Sequence, residues 1–482
     1  MDDEIRIGLD FGTHQTKICI QRKPDEGHGV PEYEFFQFVD LKGIEQYFIP
    51  SVVQINKDNT LSYGYVDPDD EKEGLPLPRK EEIPVVDPNS IEEEAQTLYS
   101  KYSVGEEDEK EGIDAIVEML RKKNEIDKAT YDEKKEKAQI KYDEEMAAYN
   151  KERNLFRYFK QATFADYPWE HNLSPEILCI WYVAYIIFLL EEKFPEGFAI
   201  NMGVPTDDKT YRQKMELGTR ILMTAYHLVE EVYDNDLWAF LEEKVDDLLA
   251  KTELVPFSEE EKEDNKINIF PEAYASLIGL TSKGKLSEGM SVNADIGGGT
   301  TDISFFIVRN RIPYIYKYWS IPRGLNFIAE KSGFGYTEKD FIKNAHQDII
   351  DKFNRKKNEV IFNLERILVD MVRERGILKS NLFAALKDRI LVYNGGGSTF
   401  SEISTPISHF TDVKVANAEL WSEEIVKNKN KVGKIFNLLT TAYGLAVSED
   451  DRDVELCDID TLLGQNKKED GHEKREIDKD VC

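Results

Sequence analysis

Residues 291–302 read Ser291-Val-Asn-Ala-Asp295-Ile-Gly297-Gly298-Gly299-Thr300-Thr301-Asp302: an apolar run ends in an aspartate and passes into glycines and threonines. An earlier stretch, Ile5-Arg-Ile-Gly-Leu-Asp10-Phe-Gly12-Thr13, has the same order. A second apolar run follows each turn, and this pattern predicts a β-hairpin. A carboxylate at the end of a buried strand is costly unless a cation or hydrogen-bond donors lie beside it. We therefore expect two facing hairpins, with two carboxylates near one metal ion and turn amides around one polyphosphate; two unrelated hairpins are the alternative.

The two hairpin sequences resemble the phosphate-binding loops of the actin-like ATPase superfamily, which also holds the seventy-kilodalton heat-shock chaperones and the sugar kinases. Further stretches resemble other parts of these proteins, in the same order along the chain. They are Pro50-Ser-Val-Val-Gln-Ile55, the run 198–205 that ends in Val204-Pro205, Phe270-Pro271-Glu272-Ala273-Tyr-Ala275, Ile390-Leu-Val-Tyr-Asn-Gly395-Gly396-Gly397-Ser398-Thr399 and Thr441-Ala-Tyr-Gly444-Leu-Ala446. The similar stretches span residues 5–447, and the match is closest to the nucleotide-binding domain of the chaperones.

The resemblance implies an α/β fold of the two-lobed actin-like type, built from duplicated ribonuclease-H-like domains. Lobe I is expected at residues 1–289 and lobe II at 290–447, with an outer subdomain at about 333–389. The region from about 38 to 164 is expected to be an inserted subdomain, which holds a charged helical segment at 113–159. We also expect the chain to lack the β-rich peptide-binding domain of the chaperones.

The two parts of the insertion differ in amino-acid composition. Residues 66–112 are dense in Asp, Glu and Pro without a sustained period, so we expect mostly loop. Residues 113–159 are rich in helix formers, but their apolar positions are sparse and irregular. This favours a solvated helix or helical hairpin with i to i+4 charge pairs; a partner-binding arm or a coiled-coil contact between subunits is the alternative. The acidic residues of 448–482, with few apolar anchors, favour a disordered tail.

Composition bounds the possible partners. A net charge of −31 argues against nucleic-acid and anionic-membrane surfaces, since phosphates would be repelled. The four cysteines are scattered and fit a reducing compartment, and the first residues lack the pattern of a signal peptide. The apolar run 177–190 is too short to cross a bilayer and follows a helix start at Ser174-Pro175, so we expect a buried helix between the lobes. These features predict a cytoplasmic protein without membrane insertion.

The resemblance assigns roles to the residues of both turns. Asp10 and Asp295 would hold Mg²⁺ through its water molecules, since Mg²⁺ keeps several waters and prefers a few carboxylates with phosphate oxygens. Backbone N–H groups would bind the phosphates of ATP or ADP from Gly12, Thr13, His14 and Gln15, and from Gly297, Gly298, Gly299 and Thr300. Lys17 stands where actins and sugar kinases place a lysine on the phosphates; an exposed strand lysine is the alternative. The chaperones use a lysine further along the inserted subdomain, which we do not align here, although Lys72 and Lys80 are candidates.

The candidate catalytic residues are Asp10, Glu272, Asp295 and Asp302. Glu272 matches the family glutamate that orients or activates the attacking water, and Asp302 matches an aspartate near the same water and metal. The alternative for Glu272 is a residue that only caps or pairs at a helix start. Gly396, Gly397 and Ser398 would cover the adenosine. Ser401 stands where the chaperones commonly place an arginine against adenine, and only Glu365-Arg366 loosely matches their charged adenine clamp.

These features favour a Mg²⁺-dependent ATPase of low turnover that acts as a switch, with lobe closure controlling a protein partner. The partner would bind the 66–164 insertion or another subunit. The main alternative is an actin-like protein that assembles into filaments with ATP, which Lys17 and the order Pro271-Glu272 favour and the bulky insertions oppose. A small-molecule kinase would need a catalytic aspartate and a sugar pocket, and we find a motif for neither. A sensor that binds nucleotide without hydrolysis is a further alternative, opposed by the catalytic carboxylates.

Overall fold

The structure is a computed structural model, and it divides into two compact units. The larger unit comprises residues 1–70, 155–169 and 173–482, and the smaller comprises 71–154 and 170–172. The residues that the structure describes are 4–23, 30–66, 116–120, 122, 133–145, 154–165, 167–169, 171–205, 210–252, 262, 266–281, 289–309, 312–332, 341–374, 390–405, 412–415 and 425–447.

The first sheet of the larger unit has the strand order β3-β2-β1-β10-β11. Strands β1 (Glu4–Phe11) and β2 (Gln15–Lys23) form an antiparallel hairpin, and β3 (Glu32–Phe35) continues antiparallel beside β2. Strand β10 (Ala199–Val204) runs parallel to β1, and β11 (Ile267–Pro271) runs parallel to β10. All residues of β10 are buried, as expected for a central strand covered on both faces. The first predicted hairpin is therefore confirmed.

The second sheet has the order β14-β13-β12-β15-β16. Strands β12 (Gly289–Ile296) and β13 (Thr301–Arg309) form the second predicted hairpin, and β14 (Ile312–Ile321) lies antiparallel beside β13. Strand β15 (Ile390–Asn394) is parallel to β12, and β16 (Asp412–Val415) is parallel to β15. The strand order and directions repeat those of the first sheet. The protein is thus mixed α/β, with one sheet topology present twice.

Short strands surround the first sheet. Strands β4 (Phe38–Val39) and β5 (Glu45–Gln46) form a small hairpin, and β6 (Ile49–Pro50) pairs with β2. Strand β7 (Val53–Ile55) lies between β8 (Leu61–Tyr63) and β9 (Leu155–Phe156). The stretch Pro50–Ile55 is therefore divided between two strands, because Val52 N donates to Pro50 O in a tight turn.

Helices connect the strands and cover their faces. The bounds of the helices are Phe159–Phe164, Pro175–Lys193, Tyr211–His227 with a π-helical continuation Leu228–Val232, Leu237–Glu242, Val245–Lys251, Glu272–Thr281, Leu325–Ser332, Phe341–Asn344, Gln347–Glu374, Lys429–Lys434 and Phe436–Ala446, with a 3₁₀ turn at Gly396–Thr399. Gln347–Glu374 lies in the expected outer subdomain, whose last residues, 375–389, lie outside the described residues.

The helix Pro175–Lys193 carries the longest apolar run and is buried over most of its length. Its side chains belong to the same hydrophobic cluster as β1, β2 and β10. The prediction that it lies between two lobes is wrong, because it covers the first sheet and has no side chain in the cluster of the second sheet. Among the described helices, none combines the length and apolar character required to span a membrane.

Two other helices occupy the space between the sheets: Glu272–Thr281, which follows β11, and Phe436–Ala446. They cross at close range, since a Cβ atom on Gly444 would lie 1.8 Å from Ala275 O. Phe436–Ala446 also packs tightly on β1, where a Cβ atom on Gly8 would lie 2.2 Å from Ala442 O. Glycine is required at both crossings, since any side chain would overlap backbone atoms.

In the smaller unit, residues 116–120 and 133–145 are helical. Exposed lysines pair with glutamates one turn away, as in Lys137 Nζ to Glu133 Oε1 at 2.6 Å. This is the pattern expected of a solvated helix, and such exposed pairs contribute little stability.

The predicted helical segment 113–159 is wrong at its end, because Leu155–Phe156 form β9 and Phe159 begins a separate helix. Both side chains of β9 are buried, so pairing with β7 and apolar burial override helix propensity there. The predictions for residues 67–112 and for the tail 448–482 lie outside the described residues, as do Lys72 and Lys80.

Candidate functional site

One cleft of the larger unit brings the turns of both hairpins together. About 760 Å³ of empty space, open solvent included, lies between its walls. The predicted residues in its wall are Asp10, Gly12, Thr13, His14, Gln15, Lys17, Glu272, Asp295, Gly297, Gly298, Thr300, Asp302 and Gly396. The further lining residues are Lys160, Pro205, Leu325, Gly395, Asn437, Leu438 and Thr441.

The second turn is held from outside by hydrogen bonds to its carbonyl groups. Gly297 O, Gly298 O and Gly299 O accept from Leu325 N, Asn326 N and Gln161 Nε2 at 3.0, 2.9 and 2.9 Å. In a trans peptide the N–H of the next residue points opposite to the carbonyl. The N–H groups of Gly298, Gly299 and Thr300 therefore point away from these donors, and Gly298 and Thr300 line the cleft. Such a row of amides favours an anion.

His14, in the first turn, lies directly over Gly298 in the second. A Cβ atom on Gly298 would stand 1.6 Å from Cδ2 of His14, so glycine alone fits there. The imidazole packs edge-on against Tyr158, with 5.1 Å between ring centroids. Burial, with the positive charges of Arg157 and Lys17, lowers the pKa of His14 to about 3. His14 therefore joins the two turns as a neutral group.

Lys17 pairs with the carboxylate that ends the first strand. Its Nζ lies 2.9 Å from Asp10 Oδ2, as expected from their register on β1 and β2. Burial alone would lower the pKa of Lys17, but Asp10, Asp295 and Glu272 raise it, so the amine stays charged. The lysine is therefore a fixed positive charge in the wall of the cleft.

Lys160 was missed in the sequence, and it also lines the cleft from the side of the first sheet. Its Nζ contacts Oε1 of Glu272 and lies 5.3 Å from the ring centroid of Phe11, while 3% of the side chain is exposed. A lysine within the apolar stretch Phe156–Phe164 was a usable signal, because a buried amine needs a partner. The charged residues before it led us to extend the solvated helix across this stretch.

Three carboxyl groups of the cleft have raised pKa values. Burial, with repulsion from Asp302 and Asp10, raises the pKa of Asp295 to about 8. Burial raises the pKa of Glu272 to about 7 against the opposing effect of Lys160, and burial also raises the pKa of Asp302. Asp302 accepts a hydrogen bond from Thr300 Oγ1 at 2.9 Å. The cleft thus concentrates buried acids, which is characteristic of functional sites.

The donor set fits a hydrated magnesium ion. Among the described residues, no three His, Cys, Asp or Glu side chains are grouped closely enough to hold a metal directly. Asp10 and Asp295 face the cleft from different hairpins, which suits Mg²⁺ held mainly through water and phosphate. Asn394 is fully buried beside Asp295 in the sheet register, and its amide atoms have no hydrogen-bond partner in the described structure.

The far end of the cleft is apolar. Gly396 lies between Leu325 and Leu438, with 3.5 and 3.8 Å from its ideal Cβ position to their nearest methyl groups. Gly397 and Ser398 lie behind this wall: Gly397 packs on Ile296, and Ser398 accepts a hydrogen bond from Asn437 Nδ2 at 2.8 Å. They shape the turn instead of facing the cleft.

One further predicted position at this end, Ser401, does not line the cleft. Ser401 is exposed and donates to Glu402 Oε2 at 3.3 Å, so it does not replace an arginine against a base. The side chains of Glu365 and Arg366 lie outside the described part of the structure.

A scan against protein-family models finds no match, and a search of the curated proteins finds no similar protein.

Proposed function

We propose that the protein is an ATP-binding, slowly hydrolysing molecular switch of the two-lobed actin-like type, resembling a stand-alone ATPase domain of the heat-shock chaperones. The observation that carries the proposal is the pairing of two glycine-rich turns across one cleft, each next to a strand-end aspartate: Asp10 is buried and Asp295 is half-buried. Two sheets with the same topology, each contributing one turn, support the duplicated lobes that this fold requires.

Each side chain then has a role that its surroundings support. The amides of Gly298 and Thr300 bind phosphate oxygens, and Lys17 and Lys160 balance the negative charge from the first lobe. Glu272 accepts a proton from, or orients, the attacking water, since its pKa of about 7 lets it take up a proton near neutral pH. Leu325 and Leu438 pack against the base. Mg²⁺, when bound, supplies charge neutralisation at the phosphates, and Asp10 and Asp295 hold it through water.

Slow turnover is the expected regime. Glu272 is paired with Lys160, so the carboxylate is partly neutralised before any water reaches it. A general base held in an ion pair is weaker, because the nearby positive charge favours its ionised form. Closure of the lobes around ATP and reopening after hydrolysis would change the outer surface for a protein partner, which we place on the 66–164 insertion or on another subunit.

The second candidate is an actin-like filament protein. The observation that favours it is an exposed apolar hairpin, β4–β5, where Val39, Leu41 and Ile44 are 62%, 64% and 53% exposed. Clustered exposed apolar residues often mark protein contacts. Lys17 in the cleft is also the arrangement expected from the actins.

ATP hydrolysis and light scattering in the same sample test these proposals. The wild type, Asp10→Asn, Asp295→Asn and the exposed control Asp348→Asn would be compared with and without Mg²⁺. Slow Mg²⁺-dependent turnover, lost in the two cleft variants and kept in the control, with flat scattering, supports the switch. A rise of scattering with ATP supports the filament. Absence of both nucleotide binding and turnover in the wild type refutes the site assignment.

A further inference from the structure

A buried glutamine reaches from the first-sheet side to the phosphate turn of the second hairpin, without lining the cleft itself. Gln161 is 3% exposed, and both ends of its amide are used. Nε2 donates to Gly299 O at 2.9 Å, and Oε1 accepts from Asn326 Nδ2 at 2.6 Å. Asn326 is itself buried, and its backbone N–H donates to Gly298 O at 2.9 Å. Gln161, Gly299 and Asn326 therefore form one closed set of hydrogen bonds, which we term the cross-cleft bridge.

The two ends of the bridge belong to different sheets. Gln161 lies on the helix Phe159–Phe164, whose first residue is part of the hydrophobic cluster of the first sheet. Gly299 is in the β12–β13 turn, and Asn326 is on the helix Leu325–Ser332, which packs in the cluster of the second sheet. A second contact joins the same two sides, because Tyr167 OH donates to Glu330 Oε1 at 2.8 Å. Separation of the two sheets at this point must break these bonds.

The bridge fixes the turn as well as joining the sheets. An ideal Cβ atom on Gly299 would lie 2.7 Å from Gln161 Oε1, so the glutamine amide is packed directly against the turn. With its carbonyl held by Gln161, the peptide after Gly299 directs the N–H of Thr300 to the opposite side. Removal of the amide would leave the buried Gly299 carbonyl and Asn326 side chain each without this partner, and buried polar groups are costly in that state.

We propose that Gln161 is a positioning residue that holds the second phosphate turn and keeps the cleft closed, so that it governs the rate of nucleotide release. This inference rests on the proposed function for its ligand, but the bridge itself is a property of the nucleotide-free protein. Gln161 immediately follows Lys160. One short helix therefore carries both the side chain that holds the second turn and the lysine that pairs with Glu272.

The position of this helix in the chain suggests how a partner would act. The segment 155–169 belongs to the larger unit, but residues 71–154 and 170–172 on either side of it belong to the smaller unit. A partner that binds the smaller unit would therefore act on a segment that carries both Lys160 and Gln161. The effect of partner binding would then be transmitted to the second turn along the polypeptide chain itself, and no additional contact would be required.

The experiment compares wild type, Gln161→Ala, Tyr167→Phe and the exposed control Gln347→Ala. Hydrogen exchange of the nucleotide-free proteins reports on the amides of Leu325 and Asn326, which donate to the second turn. Release of fluorescently labelled ADP is measured in parallel. We expect exchange and release to be faster on the order of tenfold in Gln161→Ala, to rise less in Tyr167→Phe and to match wild type in the control.

The possible results distinguish a failure of the proposed bridge from a failure of the proposed function. Exchange and release at wild-type rates in Gln161→Ala would overturn the bridge as a positioning device. If Gln161→Ala does not fold, Tyr167→Phe decides instead, since Tyr167 takes part in an exposed contact; unchanged exchange in that variant overturns the inference. If the wild type does not bind labelled ADP, the proposed function fails, and the exchange of the nucleotide-free proteins alone decides for or against the bridge.

Discussion

Lys357 should make the stability of the protein depend on pH in the alkaline range. The residue lies on the helix Gln347–Glu374 and is 1% exposed. Its Nζ donates to Ile403 O and lies 4.8 Å from the ring centroid of Tyr393. Burial lowers the pKa of Lys357 from 10.5 to about 7, because the surrounding side chains replace the water that stabilises its charge.

The magnitude follows from that difference in pKa. At about 1.36 kcal/mol for each pH unit, a folded-state pKa near 7 disfavours the charged amine by about 5 kcal/mol relative to the unfolded chain. The penalty is fully present below about pH 7, where both states are charged. Between pH 7 and 10.5 the unfolded chain binds the extra proton, so stability rises with pH by up to about 1.4 kcal/mol per unit. Above that range the penalty is lost.

The measurement is urea unfolding of wild type, Lys357→Met and Lys352→Met at pH 6.5–9.5. Lys352 is a matched control on the same helix, 62% exposed and paired with Asp348. In Lys357→Met the lost hydrogen bond to Ile403 O costs about 1–3 kcal/mol at every pH, which shifts the curve without tilting it. The wild type should therefore gain stability relative to Lys357→Met as pH rises. The pH dependence of the stability of Lys352→Met should be the same as that of the wild type. Parallel curves for all three proteins would refute a depressed pKa at this site.

Three further substitutions test the cleft and its packing. Lys160→Met should lower ATP turnover by about 10²–10³ with nucleotide binding retained, since the loss of a fixed charge beside the phosphates outweighs the stronger basicity of Glu272 without its ion pair; unchanged turnover would exclude Lys160 from catalysis. Gly298→Ala should abolish binding of labelled ADP, because its Cβ atom would stand 1.6 Å from His14 Cδ2, and His14→Ala in the same chain should restore it. Gly8→Ala should lower the free energy of unfolding by about 1–3 kcal/mol through overlap with Ala442 O, and a wild-type unfolding midpoint would contradict this packing.

The sequence predicted the hairpins because their signals are local. An apolar run, a strand-end aspartate and a glycine turn are contiguous, so β1–β2 and β12–β13 needed no information from distant residues. The prediction that both turns share one site came from the cost of a carboxylate at the end of a buried strand and was supported by the resemblance, and the structure places the two turns on one cleft. The roles assigned to the lining residues stay predictions.

Lys160 and Gln161 could not be placed from sequence because their partners are distant. Glu272 is 112 residues after Lys160, and Gly299 is 138 residues after Gln161. Composition near Lys160 is dominated by the charged residues of 113–153, which masks the short buried stretch that follows. The burial of Lys357 could not be predicted from the sequence either, since Lys357 follows directly on Arg355 and Lys356 and only the fold shows which of these side chains is covered.

The distribution of charge across the cleft gives the proposed switch a physical basis. Both lysines that line it, Lys17 and Lys160, are carried by elements of the first sheet, while the lining charges from the second hairpin are Asp295 and Asp302. Asp10 and Glu272 pair with these two lysines, so the first side is close to neutral, and a polyphosphate is repelled from the second side unless a divalent cation accompanies it. Loss of the terminal phosphate removes negative charge that the two lysines balance. The electrostatic repulsion on the carboxylates of the second hairpin therefore differs before and after hydrolysis. The cross-cleft bridge must break before the sheets separate. The change in charge would therefore act by favouring or opposing the breaking of these hydrogen bonds.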